Sequence, residues 1–157
     1  MTNSLMDEEN SDLLLVTFRL EDAWYGLDTN RIQEVIQVGG ITVVQHAPDY
    51  VRGIANLRGK IVTVIDLALK LGLEQRELSA DTRILIVNWI HEQVGLVVEW
   101  VGEVVSLNQE QIEGLPSNID ATLGHFLKGV YYKADEDRLL GILDLDAVLI
   151  VADKEST

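Results

Sequence analysis

The sequence predicts a mostly β protein made of two similar small barrels, and three observations support this prediction. The 18 Val and 13 Ile residues fall in short alternating runs separated by Gly, Asn, Asp and charged residues, the pattern of strands and turns. Segments with helical periodicity are short and few. Several short strings recur in the same order in the two halves of the chain. Two strand-rich units packed on each other would leave few exposed sheet edges.

In the first half, alternating apolar residues predict strands over residues 14–20, 23–27, 32–36, 51–57 and 59–66. The last two form a hairpin whose tip carries Arg58. Asp66 then stands where an N-cap would open a short helix over residues 67–71, and Gly72 would end that helix.

In the second half, the same reasoning predicts strands over residues 83–89, 94–98, 101–107, 128–132 and 139–143. The first of these is apolar on both faces, as expected of a strand buried between layers. His91 falls in the hairpin turn that follows it. Asp144 is a candidate N-cap for a helix over residues 145–150.

The internal repeat consists of four short echoes whose spacing grows slowly. Residues 26–27 and 34–36 recur at 95–96 and 103–105, an offset of 69, whereas residues 52–54 recur at 128–130 and residues 65–67 at 143–145. A strand-rich chain produces some echoes by chance, but the conserved order favours a two-fold pseudo-repeat. Such a repeat predicts that each barrel ends in an Asp-capped helix.

Composition places one folded domain at residues 13–150, flanked by an acidic tail at 1–12 and a polar tail at 151–157 that we expect to be flexible. The chain has 157 residues and 47% hydrophobic residues, enough to form an apolar core without covalent links. It has no Cys, which favours a reducing, intracellular location. We recognise no secretory signal and no apolar run long enough to span a bilayer.

The net charge of −14 disfavours binding to nucleic acids and to anionic membrane surfaces. A barrel-fold nucleic-acid binder is further opposed by an aromatic content of only 6%. Salt-dependent binding to oligonucleotides would revive that alternative.

The sequence does not predict catalysis, a cofactor or a metal site. The string from Gly53 to Lys60 differs from a phosphate-binding loop in its glycine spacing, and Ile61 stands where Ser or Thr would bind magnesium. No Gly-x-Ser-x-Gly motif of a hydrolase is present. The three histidines, His46, His91 and His125, are isolated in the sequence, so we interpret them as surface residues.

A small basic cluster stands out in this acidic chain. Arg52, Arg58 and Lys60 lie within nine residues that contain no acid. On a rigid turn, the guanidinium of Arg58 could bind a partner's carboxylate through two hydrogen bonds. A solvated turn residue is the alternative interpretation.

The string from Gly53 to Leu67, GIANLRGKIVTVIDL, resembles the signature of the CheW family of chemotaxis coupling proteins. Further segments resemble the family in the same order, at residues 25–27, 34–36, 94–98, 103–105 and 143–145. The resemblance covers residues 13–150.

The resemblance implies a fold of two packed five-stranded SH3-like barrels and an adaptor without catalysis of its own. The implied partners are the regulatory domain of a CheA-type histidine kinase and the cytoplasmic tip of methyl-accepting chemoreceptors. The implied location is the cytoplasm, with recruitment to membrane receptor arrays. A coupling protein of a type IV pilus or surface-sensing pathway is the alternative, because it would carry the same motifs.

Position by position, the resemblance assigns receptor contacts to Ile32, Glu34, Val35, Gly53, Arg58, Val97 and Val98. It does not assign one to Glu103, the repeat counterpart of Glu34, which we expect to face solvent. Asp66 and Asp144 are predicted to be structural helix caps.

Three positions depart from the family pattern. Gln45 and Thr63 stand where the family often has Pro, and Glu99 stands where it often has Asp. Without Pro, the loop from Ile41 to Pro48 is expected to be less rigid before binding, which bears on partner choice and not on fold.

Overall fold

Ten strands and three α-helices lie in the part of the chain that the computed structural model describes, residues 12–156 with side chains to residue 150. The helices are α1 (Leu67–Lys70), α2 (Ala121–His125) and α3 (Leu145–Ser156). The strands are β1 (Leu13–Leu20), β2 (Ala23–Asp28), β3 (Ile32–Gln37), β4 (Val51–Leu57), β5 (Lys60–Asp66), β6 (Arg83–Trp89), β7 (Glu92–Val98), β8 (Trp100–Leu107), β9 (Leu127–Lys133) and β10 (Arg138–Leu143).

The strands form two five-stranded sheets, which confirms the predicted fold class. Sheet A has the order β8-β1-β2-β10-β9, and sheet B has the order β3-β6-β7-β5-β4. Most neighbouring strands are antiparallel, but β2 pairs with β10 and β5 pairs with β7 in parallel.

The two halves of the chain, β1 to α1 and β6 to α3, are intertwined. Each half gives its first two strands to one sheet and its last three strands to the other. If β6 to β10 are taken as counterparts of β1 to β5, both sheets have the same strand order, and the two parallel pairs are counterparts as well.

Three apolar clusters fill the interior. One cluster lies within sheet A and includes Leu15 and Val105, and a second lies within sheet B and includes Val64 and Ile86. The largest cluster joins the sheets, with Phe18 and Leu27 from sheet A packed among Leu85 and Leu96 from sheet B. Each sheet therefore has its own core, and the shared core holds the sheets together.

The helices differ from the sequence prediction in two respects. The sequence does not predict helix α2, because its five residues include Thr and Gly and show no periodic pattern. Asp120 caps this helix by accepting hydrogen bonds from the N–H groups of Thr122 and Leu123. Helix α3 continues to Ser156, past the predicted end at residue 150, because no Gly or Pro stops it. Of the predicted acidic tail at 1–12, only Asp12 lies within the described residues.

Candidate functional site

Glu34 lies on β3, at one edge of sheet B. Along this strand Ile32, Glu34 and Ile36 are half-buried, while Gln33, Val35 and Gln37 are exposed. The carboxylate therefore shares the inward face with two isoleucines, as the alternation of the sequence predicts. Ile36 packs against the core of sheet B, so Glu34 lies at the rim of that core.

Arg58 lies at the tip of the β4–β5 hairpin. Arg58 and Gly59 form a two-residue turn in which both have positive φ, +52° and +84°. This is the hairpin turn that matches the twist of the flanking strands. The side-chain oxygen of Asn56 accepts a hydrogen bond from the Gly59 N–H at 2.8 Å, and this contact stabilises the turn.

The guanidinium of Arg58 binds Glu34 through two parallel hydrogen bonds, of 2.6 and 2.7 Å. The hydrogen bonds from Arg58 lower the pKa of the Glu34 carboxyl, and the hydrogen bonds to Glu34 raise the pKa of Arg58. The sequence predicts that the fork of Arg58 binds a partner's carboxylate or lies in solvent. In the structure the fork binds an acid of the same chain, while the side chain stays 73% exposed, so a contact with a partner stays a prediction.

The ion pair links the two edges of sheet B. Strands β3 and β4 are the two outer strands of this sheet, and Glu34 on β3 binds Arg58 in the turn that directly follows β4. A short bridge completes the closure: Thr42, in the loop after β3, and Ile54 on β4 exchange two N–H to C=O hydrogen bonds of 2.8 Å. We call this junction the seam of sheet B.

Exposed valines occur on β3 and on the loop that follows it, which together form one side of the seam. The exposed fraction is 41% for Val35 on β3, and 77% and 41% for Val43 and Val44, which follow Thr42. The side chain of Arg58 is 73% exposed. The surface thus combines an ordered ion pair with apolar side chains, which suits contact with a protein more than binding of a small polar molecule.

Three of the predicted contact residues are buried. Gly53 is buried under the bridge, where a Cβ atom would lie 2.1 Å from the carbonyl oxygen of Thr42. Val97 belongs to the core of sheet B, and Val98 belongs to the shared core. These residues can support the surface from beneath, but in this conformation they do not present side chains to a partner.

The two capping aspartates lie at equivalent helix starts. Asp66 accepts a hydrogen bond from the Leu69 N–H, and Asp144 accepts one from the Ala147 N–H, both at 3.1 Å. Asp66 is buried and also accepts a hydrogen bond from Nε of Arg52 at 3.0 Å. The sequence places Arg52 in one basic cluster with Arg58 and Lys60. In the structure, Arg52 instead binds the buried Asp66 and is part of the internal packing.

Glu103 has a cationic neighbour too. Its carboxylate lies 3.6 Å from Nζ of Lys133, and its side chain is 63% exposed. Hydrogen bonds to Glu136 and Asp135 raise the pKa of Lys133. A backbone bridge between Glu113 and Val130 lies beside Gly129, as the Thr42–Ile54 bridge lies beside Gly53. Sheet A therefore has a seam of similar design, with a looser ion pair.

Glu99, one of the departures from the family pattern, holds a turn in place. Its carboxylate accepts a hydrogen bond from the N–H of Glu21, which has a φ of +55° in the β1–β2 turn. The Glu99 N–H bonds the carbonyl of Arg19 at 3.1 Å. The longer acid therefore stabilises the β1–β2 turn.

Within the described part of the chain, His, Asp and Glu side chains form no group of three that could hold a metal ion. Over the same residues, no helix is long and apolar enough to cross a membrane.

Comparison with known proteins gives consistent results. The family model for the CheW-like domain matches residues 14–152. Chemotaxis protein CheW of Klebsiella aerogenes is 32% identical over 84% of this chain and 78% of that protein. Protein PilI of Pseudomonas aeruginosa is 27% identical over 75% of this chain and 66% of that protein. The crystal structure of the scaffolding protein TtCheW from Thermoanaerobacter tengcongensis has 34% identity and a TM-score of 0.77 over 85% of both chains. The chain therefore belongs to the CheW family.

Proposed function

We propose that this chain is a non-enzymatic adaptor that couples transmembrane chemoreceptors to a CheA-type histidine kinase in chemotaxis signalling. The observation that carries the proposal is the ordered Glu34–Arg58 ion pair among exposed valines at the seam of sheet B, in a chain of the CheW family. The relatives named above include a chemotaxis protein and a scaffolding protein. The proposed location is the cytoplasmic face of membrane receptor arrays.

In this proposal the cytoplasmic tip of a chemoreceptor, a helical hairpin, lies against the seam of sheet B. Val35 and the half-buried Ile32 provide apolar contact, and the ion pair orients the helices by hydrogen bonding. Gly53, Val97 and Val98 act from beneath by fixing the backbone that carries these side chains. The kinase regulatory domain would bind elsewhere on the surface, so that receptor and kinase are held together.

The likeness to PilI supports a second candidate. A coupling protein of a type IV pilus pathway would use the same fold and the same site with a different receptor. Binding assays with receptor tips from both kinds of pathway distinguish the two candidates.

Charge reversal at the seam tests the proposal. We expect Arg58→Glu and Glu34→Lys each to weaken binding to a receptor-tip fragment at least about tenfold, since each places like charges together and disrupts the surface. Both proteins should keep the circular dichroism spectrum of the folded chain, with only a small fall in melting temperature, because an exposed ion pair contributes little stability. The exchanged pair, Glu34→Arg with Arg58→Glu, should recover part of the binding.

Glu103→Lys is the matched control, because it makes the same charge change at the looser seam of sheet A. We expect it to change receptor binding less than Glu34→Lys does. Equal losses for the two variants would show that net charge governs the interaction, and the assignment to the seam of sheet B would be withdrawn. Normal binding by Arg58→Glu would contradict the proposal as well.

A further inference from the structure

Neither sheet can form from one half of the chain alone. Four of the eight strand pairings join the two halves: β1 with β8, β2 with β10, β3 with β6 and β5 with β7. The shared core also draws on both halves, since it contains Phe18 and Leu27 together with Leu85 and Leu96. A half without its counterpart would leave strand edges and apolar side chains exposed to water.

A short exposed segment connects the two halves. Residues 74–81, between α1 and β6, form no helix or strand, and all eight are exposed. Two hydrogen bonds tie this segment, which we call the linker, to the first half: Arg52 Nη2 to the Arg76 carbonyl at 2.9 Å, and the Glu74 N–H to Glu21 at 3.0 Å. None of the eight strand pairings involves a linker residue.

We infer that this chain binds a second copy of itself by exchanging halves across the linker. In the exchanged dimer, strands β1 to β5 of one copy pair with strands β6 to β10 of the other, and the reverse pairing forms a second complete body. Every strand pairing and core contact of the single chain is kept in each body. Only the path of the linker changes, as in other domain-swapped proteins.

The linker also determines when the exchange occurs. A short flexible linker gives the two halves a mutual concentration on the order of millimolar, so a single chain dominates at micromolar concentrations. To exchange, the halves must first separate four strand pairings and the shared core, which amounts to global unfolding. Exchanged dimers therefore form while the chain folds at high concentration, and they persist once folded.

Exchange leaves the candidate site intact. Glu34 and Arg58 both belong to the first half, so each body of the dimer has a complete ion pair at the seam of sheet B. The dimer would present two such surfaces on one particle. The inference itself rests on topology and does not depend on the proposed function.

Two cysteine pairs distinguish an exchanged dimer from two whole chains side by side. The chain has no Cys of its own. Leu14 on β1 and Ser106 on β8 are exposed, directly paired residues from different halves, so L14C with S106C links the halves. Tyr132 and Leu139 are exposed, directly paired residues of the second half, and Y132C with L139C is the matched control. Directly paired residues of antiparallel strands lie within reach of a disulfide.

The experiment refolds each full-length variant from denaturant at about 2 µM and about 200 µM, where mass action should raise the dimer fraction roughly in proportion to concentration. Dimers are isolated by size-exclusion chromatography, oxidised and run on a non-reducing denaturing gel. We expect a covalent dimer from L14C/S106C and single chains from Y132C/L139C. Dimers in which L14C/S106C closes within one chain, or the absence of dimer at both concentrations, would overturn the inference.

Shortening the linker gives a second measurement. Deletion of residues 75–78 removes half of the linker, so closure of the two halves within one chain becomes less favourable and their mutual concentration falls. We expect the dimer fraction at about 2 µM to rise at least about tenfold over that of the intact chain. A folded deletion variant that stays monomeric contradicts the inference. If this variant does not fold, the refolding experiment on the intact chain decides.

Discussion

At the scale of single residues, two backbone features fix the geometry of the Glu34–Arg58 ion pair. Arg58 holds a positive φ in a tight turn, which aims its side chain from a rigid hairpin tip. Glu34 alternates with isoleucines on β3, which limits its carboxylate to the rim of the core. Because the guanidinium is a planar fork that matches a carboxylate, the two parallel hydrogen bonds cost less side-chain entropy per bond than a pair joined by one hydrogen bond does.

The ion pair makes the titration of Glu34 a direct readout of the seam. The Glu34 pKa lies below its usual value because Arg58 donates hydrogen bonds to the carboxylate. The pair therefore stabilises the fold at pH values above the unfolded-state pKa, and this contribution is lost as pH falls through the lowered, folded-state pKa. We expect Arg58→Gln to raise the Glu34 pKa, measured by NMR titration of the side-chain carboxyl. An unchanged pKa in this variant would contradict the pairing.

Gly53 offers a test of the bridge that completes the seam. Its φ of +146° is rarely adopted by residues with a Cβ, and a Cβ there would collide with the Thr42 carbonyl. We expect Gly53→Ala to lower the free energy of unfolding by about 2–4 kcal/mol, measured by chemical denaturation. The control is Gly39→Ala, because a Cβ at Gly39 meets nothing within 4 Å. Comparable losses at the two positions would show that the bridge is not what requires glycine.

At the scale of elements, α1 and α3 begin in the same way but differ in their surroundings. Both start at an aspartate at the end of a strand, Asp66 as the last residue of β5 and Asp144 directly after β10, and each aspartate accepts a hydrogen bond from the third N–H of its helix. Only Asp66 is fully buried and bonded to an arginine, whereas Asp144 remains partly exposed. The cap of α1 is thus also the anchor of Arg52, which in turn holds the linker through the Arg76 carbonyl.

The two caps should therefore differ in their contribution to stability. Asp144→Ala removes one capping hydrogen bond and should cost about 0.5–2 kcal/mol. Asp66→Ala also leaves Arg52 without its carboxylate, so we expect a larger loss, of about 2–4 kcal/mol. Denaturant unfolding of the two variants side by side measures the difference. Equal losses would indicate that the Arg52–Asp66 pair contributes no net stability.

At the scale of the whole molecule, the intertwined halves should make the two sheets unfold together. Trp24 lies in sheet A and Trp89 lies in sheet B, so single-tryptophan variants report on each sheet separately. Leu15→Ala, in the core of sheet A, should lower the unfolding free energy by about 2–5 kcal/mol at both probes. A shift confined to Trp24 would show that the sheets unfold independently.

Much of this architecture could be predicted from the sequence because the information is local. Alternating apolar residues determine each strand, as in β3, where Ile32, Glu34 and Ile36 share a face. Asp66 and Gly72 bound α1 by capping chemistry that operates within a few residues. The predicted fold class needed only these local patterns and the order in which they recur.

Only the tertiary structure decided which residues meet across the chain. The Glu34–Arg58 pair joins residues 24 positions apart, one on the outer strand β3 and one in the turn that follows the other outer strand, β4, and this proximity depends on how the whole sheet folds. Burial of Gly53, Val97 and Val98 likewise depends on which layer covers each face of their strands, which alternation alone does not specify. The sequence also did not show that the first two strands of each half form a sheet with the last three strands of the other half. Strand pairing between halves is selected by packing of the shared core, and that packing exists only once both halves have folded.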